Sequence, residues 1–292
     1  MAQQQFRVSN AAGMWLRTEP IVSEATQKVL LPQGHLVTKL GETDKPNWWR
    51  ISTTVEGEEL EGFSNKTLMV PDLSTSDLVT KTLSVLSHVA PHAHPNYLQA
   101  IREGSALFEQ HGIITALRMA HLLAQAMQET GSFTVLRENM SYSVPRMLQI
   151  FGVGKHSARV TPEEAPGLAH NPRALAERVY GLGNPRKFPE LGNTEPGDGF
   201  RYRGNGILQT TGRDAHRRMG EACGLDFEGN PDLVTLPEHA LKPALQEWSD
   251  GNLNNAADHN DIRTITIKIN GGLNGFEERK AFFAQISPLF NA

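Results

Sequence analysis

Residues 115–133, TALRMAHLLAQAMQETGSF, constrain the fold of this chain more than any other stretch. Ala116, Met119, Ala120, Leu123, Ala126 and Met127 recur at helical spacing and form one apolar stripe. Thr115 is placed to cap the first turn, and Gly131 to take the left-handed turn that stops the helix. Arg118, Leu122, Gln125 and Glu129 share a second, mixed line. Glu129 therefore falls in the last turn, beside Gln125. The partial negative charge of a helix C-terminus disfavours an anion there. On that ground Glu129 is expected to hold its proton more tightly than a free glutamate, as a general acid must. A surface residue in a fraying last turn is the competing reading.

The remainder of the chain changes character near residue 70. Residues 1–70 read as short strands: Phe6–Val8, Trp15–Arg17, Val29–Leu31, Leu36–Leu40, Trp48–Thr53 and Gly62–Ser64. They are separated by turn chemistry at Ser9-Asn10, Pro32-Gln33-Gly34 and Asp44-Lys45-Pro46-Asn47. Short, evenly spaced strands predict a small barrel, with at least one of Trp48 and Trp49 in its core. Residues 71–82, polar and rich in Ser, Thr and Asp, read as a linker, with a helix beginning near Ser76. Beyond it the pattern is helical: Tyr97–Gln110, the stretch around Glu129, Pro145–Phe151, Ala174–Tyr180, about Arg213 to Cys223, a run after Pro237, and Phe276–Pro288. Asp261–Asn270 fits either a strand, through Ile265, Ile267 and Ile269, or a helix capped by Asp261.

Charge and cysteine content narrow the function. Residues 1–70 carry a net −1 and residues 71–292 a net −3, so neither part has the basic balance of a nucleic-acid binder. Cys223 is the only cysteine, which excludes an internal disulfide and reads as a small core residue. No apolar run is long enough to span a membrane. The first ten residues lack a basic start followed by an apolar run, so synthesis in a cytoplasm without a signal peptide is expected. His88, His92 and His94 cluster, but two prolines interrupt them and no carboxylate or cysteine is near; no metal and no cofactor are expected.

Two further stretches bear on chemistry. Glu138 follows Glu129 by nine residues, across the Gly131 turn. Arg137 beside it would keep Glu138 ionised. One carboxyl pushed up and one held down is the arrangement that acid/base hydrolysis uses; a solvated Arg-Glu pair is the plainer alternative. Residues 191–220 are glycine-rich without the lysine of a phosphate loop or the third glycine of a dinucleotide site. What they offer is Tyr202, Arg203, Gln209, Thr210 and Thr211 on tight backbone, with Gly204 and Gly206 allowing close approach.

Four blocks taken in order resemble family 19 glycoside hydrolases, in the lysozyme-like branch found in phage endolysins and bacterial wall-lytic proteins. They are AHLLAQAMQETGSF, ENMSYS, LGNTEPGDGFRYRGNGILQTTGRD and INGGLNGFEER, and the likeness spans roughly residues 80–290. It implies a mostly α-helical lysozyme-like fold with a cleft between lobes, and inverting cleavage of β-1,4 bonds between amino sugars. By position, Glu129 resembles the general acid and Glu138 the general base. Thr211 resembles the hydroxyl residue that positions water, and Gln209 and Asn270 resemble groups that bind the sugar; Tyr202, Arg203 and Gln125 are further candidates for substrate contact. Plant-type members place the base further along the chain. Gln128 stands where the family usually has His, Asn205 where it has Arg, and Ala215-His216 where Asn-Tyr is common. Residues 1–70 are similar to bacterial SH3-like domains through Trp15-Leu16-Arg17, Trp48-Trp49 and Gly62-Phe63.

The chain is therefore expected to be multidomain: an SH3-like cell-wall-binding barrel at 1–70, a linker at 71–82 and a lysozyme-like glycoside hydrolase at 83–292. Its expected activity is that of an endolysin-type peptidoglycan hydrolase. It would act as a monomer in the periplasm or wall after release, with the wall glycan as its partner. A chitinase, an exported antibacterial toxin with an immunity partner, and an inactive binding module are the alternatives.

Overall fold

In a computed structural model, residues 4–10, 12–72 and 74–291 are described. The first part is one antiparallel sheet of seven strands: β1 (Gln5–Val8), β2 (Met14–Arg17), β3 (Gln27–Leu31), β4 (Leu36–Glu42), β5 (Trp48–Val55), β6 (Glu58–Asn65) and β7 (Met69–Pro71). Their order across the sheet is β3-β2-β6-β5-β4-β1-β7. The strands read from sequence all form, and β7 adds one that the pattern did not show. β5 and β6 join through Glu56 and Gly57, both at positive φ (51° and 89°), the geometry that matches the right-handed twist of a hairpin. Gly62 lets β6 approach β2, since a Cβ there would stand 2.5 Å from the Arg17 carbonyl oxygen.

Two expectations for this part change. The sheet is not closed into a barrel: β3 and β7 are its ends, and no pairing joins them among the described residues. Neither Trp48 nor Trp49 is fully buried. Phe6, Leu16, Leu31, Val37 and Ile51 fill the core instead, and Trp49 rests at its margin against Phe6, with ring centres 4.7 Å apart.

The helical part runs α1 (Thr75–Val89), α2 (Pro95–Glu103), α3 (Ser105–Gln110), α4 (Ala116–Thr130), α5 (Val144–Phe151), α6 (Ala165–Leu168), α7 (Pro172–Tyr180), α8 (Lys187–Leu191), α9 (Asp198–Arg201), α10 (Arg213–Cys223), α11 (Leu241–Asp250), α12 (Leu253–Asp258), α13 (Ile262–Asn270) and α14 (Phe276–Asn291). Most of the stretch expected to be a linker is the start of α1. Ser74 caps it through the Asp77 N–H, and Leu78, Val79 and Thr82 are already buried. The single helical run expected over Tyr97–Gln110 is broken at Gly104, where a Cβ would collide with Leu241 of α11. Asp261–Asn270 is helical, because Ile265 buries completely while Ile267 stays exposed, a spacing that a strand cannot produce with Ile265 and Ile267 on one face. No helix among the described residues is long and apolar enough to cross a membrane.

Two apolar cores organise these helices. The larger gathers α4 with α1, α2, α11, α12 and α14 around Leu123, Met127, Phe133, Trp248 and Ile286. The smaller packs Met140, Met147 and Phe151 against Leu175 and Val179 of α7. The segment after α4 passes from one to the other, from Phe133 in the first core to Met140 in the second. Glu138 lies on that crossing. Gln33 of the sheet part donates to the Asp258 carbonyl at 2.8 Å, next to the Arg118–Asp258 ion pair that ties the start of α4 to α12.

Candidate active site

The helix carrying Glu129 forms with the caps read from sequence. Thr115 Oγ1 accepts from the Arg118 N–H, and Gly131 takes φ 55°. What differs is the surrounding. Every residue from Met119 to Met127 is buried, so the mixed line is as enclosed as the apolar stripe. Ser132 and Phe133 continue the turn with φ of 60° and 62°, unusual for side chains of their kind. Burial of Phe133, edge-on to Tyr97 at 5.7 Å, holds that turn in place. Strain kept by packing directly after a candidate catalytic residue is where such strain gathers.

Arg279 of α14 fixes the Glu129 carboxyl. Its side chain is 2% exposed; Nη2 donates to Glu129 Oε1 at 2.5 Å and Nη1 donates to Gln125 Oε1 at 2.7 Å. Gln125 is therefore not a sugar contact: it is wholly buried and holds the guanidinium. Arg279 Nε and Gln125 Nε2 remain buried without acceptors among the described residues. Arg279 was not singled out from sequence, although it is the closing residue of the INGGLNGFEER block. On the other side, Glu247 of α11 is pushed up to about 7, by burial first and then by the charges of Glu129 and Asp250. No sequence pattern pointed to Glu247.

Glu138 is held by a different set of groups. Tyr180 OH donates to its Oε1 at 3.0 Å, and its backbone N–H donates to the Gly204 carbonyl at 2.7 Å. Burial raises its pKa above the ordinary glutamate value, opposed by the Tyr180 bond, the Gly204 backbone and the charge of Arg203. Both the expected direction and the expected cause are thus corrected: burial raises Glu138 instead of a neighbouring cation holding it down. Arg137 turns away to pair with Asp232 at 2.8 Å, and it is Arg203 whose charge reaches Glu138.

Asn205 joins Glu138 to the glycine-rich segment. Its backbone pairs with both Arg137 and Thr210, so Glu138 and Thr211 each follow directly on a strand-like contact with one residue. Its side chain donates to the Pro231 carbonyl and lies 3.2 Å from His216 Nε2, so that two departures from the family pattern meet each other. Gln209 adopts φ 52°, and Thr211 Oγ1 donates to its carbonyl at 2.9 Å. Gln209, Thr211 and Glu247 line one cavity of about 430 Å³ that also reaches Ile269, next to Asn270 at the end of α13. Asn270 Nδ2 donates to the Asn274 carbonyl at 3.3 Å.

Tyr202 does not behave as the sequence suggested. Tyr202 is 1% exposed, with its OH donating to the Glu228 carbonyl, and is a core residue. Arg203 Nε and Nη1 donate to the carbonyls of Glu138 and Phe200, so it fastens the loop that carries the candidate base. Two of the three clustered histidines serve locally: His94 caps α2 and His88 lies 2.8 Å from the Ser84 carbonyl. Among the described residues no three of His, Cys, Asp and Glu converge as a metal site.

No family model matches the chain. A glycosyl hydrolase family 19 domain-containing protein of Haemophilus influenzae is 34% identical over 198 residues, which cover 65% of this chain and 88% of that protein. Among solved structures, chitinase C from Streptomyces griseus superposes with a TM-score of 0.50 at 16% identity, over 74% of this chain and 93% of its own. A bacterial family 19 chitinase gives the same TM-score of 0.50 and 16% identity, over 74% of this chain and 96% of its own. These structural likenesses establish a shared fold.

Proposed function

The chain belongs to glycoside hydrolase family 19, and on that premise we propose that it cleaves the β-1,4 bonds of peptidoglycan by inversion, with Glu129 as general acid and Glu138 as general base. The observation that carries this reading is the clamp at the end of α4. A buried guanidinium braced by Gln125 fixes one carboxyl, while the segment crossing between the two cores presents a second. An inverting site needs two carboxyls on opposite sides of the sugar, roughly 6.5–9.5 Å apart, with room for a water. Burial that raises Glu138 makes it a stronger base whenever it is ionised. Thr211 would orient the water, and Gln209 and Asn270 would hold hydroxyl and acetamido groups, since amides both donate and accept.

Peptidoglycan is preferred to chitin because the four sequence blocks resemble the lysozyme-like branch found in phage endolysins and wall-lytic proteins. The N-terminal sheet is proposed as an SH3-like module that holds the wall, with the enzyme acting there as a monomer. Glu129→Gln and Glu138→Gln should each lower release of reducing ends from purified peptidoglycan by about 10²–10⁴-fold while the protein stays folded at the assay temperature, although Glu129→Gln leaves the buried Arg279 guanidinium without its carboxylate and should unfold at a lower temperature. Wild-type rates in the first variant, or a loss below about threefold in the second, would remove the assignment.

A further inference from the structure

Beside Glu138 lies a groove of about 720 Å³ that the hydrolytic mechanism does not use. Five arginines line it, 137, 173, 201, 203 and 213, against three acidic residues. Arg213 is neutralised by a two-pronged pair with Asp198, and Arg137 by Asp232. Arg201 and Arg203 donate to backbone carbonyls, which satisfy N–H groups without cancelling charge. Arg173 has no carboxylate within salt-bridge range among the described residues. Glu195, the exposed third acid, has no cation within salt-bridge range among the described residues. Arg173 and Arg203 both stand over the Phe200 ring, 4.6 and 4.0 Å from its centre. One ring thus orders two planar forks near each other. These cations feel one another: after burial, the charges of Arg137 and Arg173 both lower the pKa of Arg203. Arg173 also occupies the first turn of α7, the end of a helix that disfavours a cation. Arg137 Nε is buried without an acceptor.

We propose that this groove binds a carboxylate carried by the glycan substrate, and so selects an anionic glycan over a neutral one. The proposal rests on the peptidoglycan reading and extends it. The geometry ties the groove to the reacting strand: Arg137 immediately precedes Glu138, and Arg203 donates to the Glu138 carbonyl. An anion held there is therefore a substituent of the chain that Glu138 serves. Chitin has no such group. Peptidoglycan has two sources, the lactyl carboxylate of its muramic sugar and the carboxylates of its stem peptide, and guanidinium forks suit both.

Arg173→Ala tests this, because Arg173 is exposed, lies outside the catalytic groups and sits where alanine favours the helix. Its kcat/KM should fall about tenfold, mainly through KM, on glycan strands with intact stems. It should not change on neutral chitooligosaccharides. A loss that persists after an amidase has removed the stems assigns the lactyl carboxylate; a loss that vanishes assigns the stem. Equal losses on charged and neutral substrates, or no loss on either, overturn the proposal. In parallel, titration with muramyl dipeptide and with neutral chitotriose reads binding without turnover. Weaker muramyl dipeptide binding by Arg173→Ala, with chitotriose unchanged, supports the groove even if peptidoglycan is not cleaved. Equal binding by both proteins overturns it.

Discussion

At the scale of single residues, the proposed site consists of two carboxyls held by different groups. Glu129 meets a guanidinium at 2.5 Å; Glu138 meets a phenol in a pocket whose burial favours the neutral acid. The Tyr180 hydrogen bond stabilises the Glu138 carboxylate, so it works against burial. If Glu138 is the base, it must be ionised, and activity is lost as pH falls through its raised pKa. The acid limb of kcat/KM should therefore lie above pH 4.5, the ordinary value for this group. Tyr180→Phe removes the stabilising bond and should move that limb further up. A limb that stays put or moves down in a pH-rate profile would contradict the role. Glu129 and Glu138 stand out in the sequence as candidates because each sits in a block that resembles the family pattern. Tyr180 and Glu247 do not, since they reach the site from helices distant in the chain. Tyr202 misled for a related reason: polarity on tight backbone does not tell which way a ring points, and this one points inward.

At the scale of elements, α4 and α11 share the environment of Glu129. Glu247 is raised to about 7, so between pH 4.5 and that value the folded protein binds more protons than the unfolded chain. Stability from this group is present below 4.5 and is lost as pH rises to about 7. Glu247→Gln keeps the shape and removes the titration. Its stabilisation relative to wild type should be larger at pH 8 than at pH 5, by on the order of 1–3 kcal/mol in urea unfolding. A difference of the opposite sign would mean that Glu247 is better solvated than its position implies. Helix α4 was predicted to the residue at both caps because capping is local chemistry. The break at Gly104 was not; a Cβ there would meet Leu241, a residue far along the chain. The ambiguity at Asp261–Asn270 had the same origin: alternating isoleucines fit either period until the large core takes Ile265, with Ile269 packed beside it, and leaves Ile267 exposed.

At the scale of the whole molecule, a small sheet with its own core adjoins a two-core helical enzyme. The change from strand to helix near residue 70 was plain in the sequence. The open edges of the sheet and the start of α1 were not, since both depend on what each element packs against. If the sheet holds the wall, deleting residues 1–72 should reduce co-sedimentation with purified walls more than it lowers turnover on soluble glycan. Equal pelleting of both forms would remove the binding role. The central claim, hydrolysis of the wall glycan through Glu129, is tested most directly by mass spectrometry of fragments released from purified peptidoglycan by wild type and by Glu129→Gln. Wild type should yield glycan fragments with new free reducing ends and no anhydro form, and the variant should yield none. Anhydro ends, or the same fragments from both proteins, would contradict it.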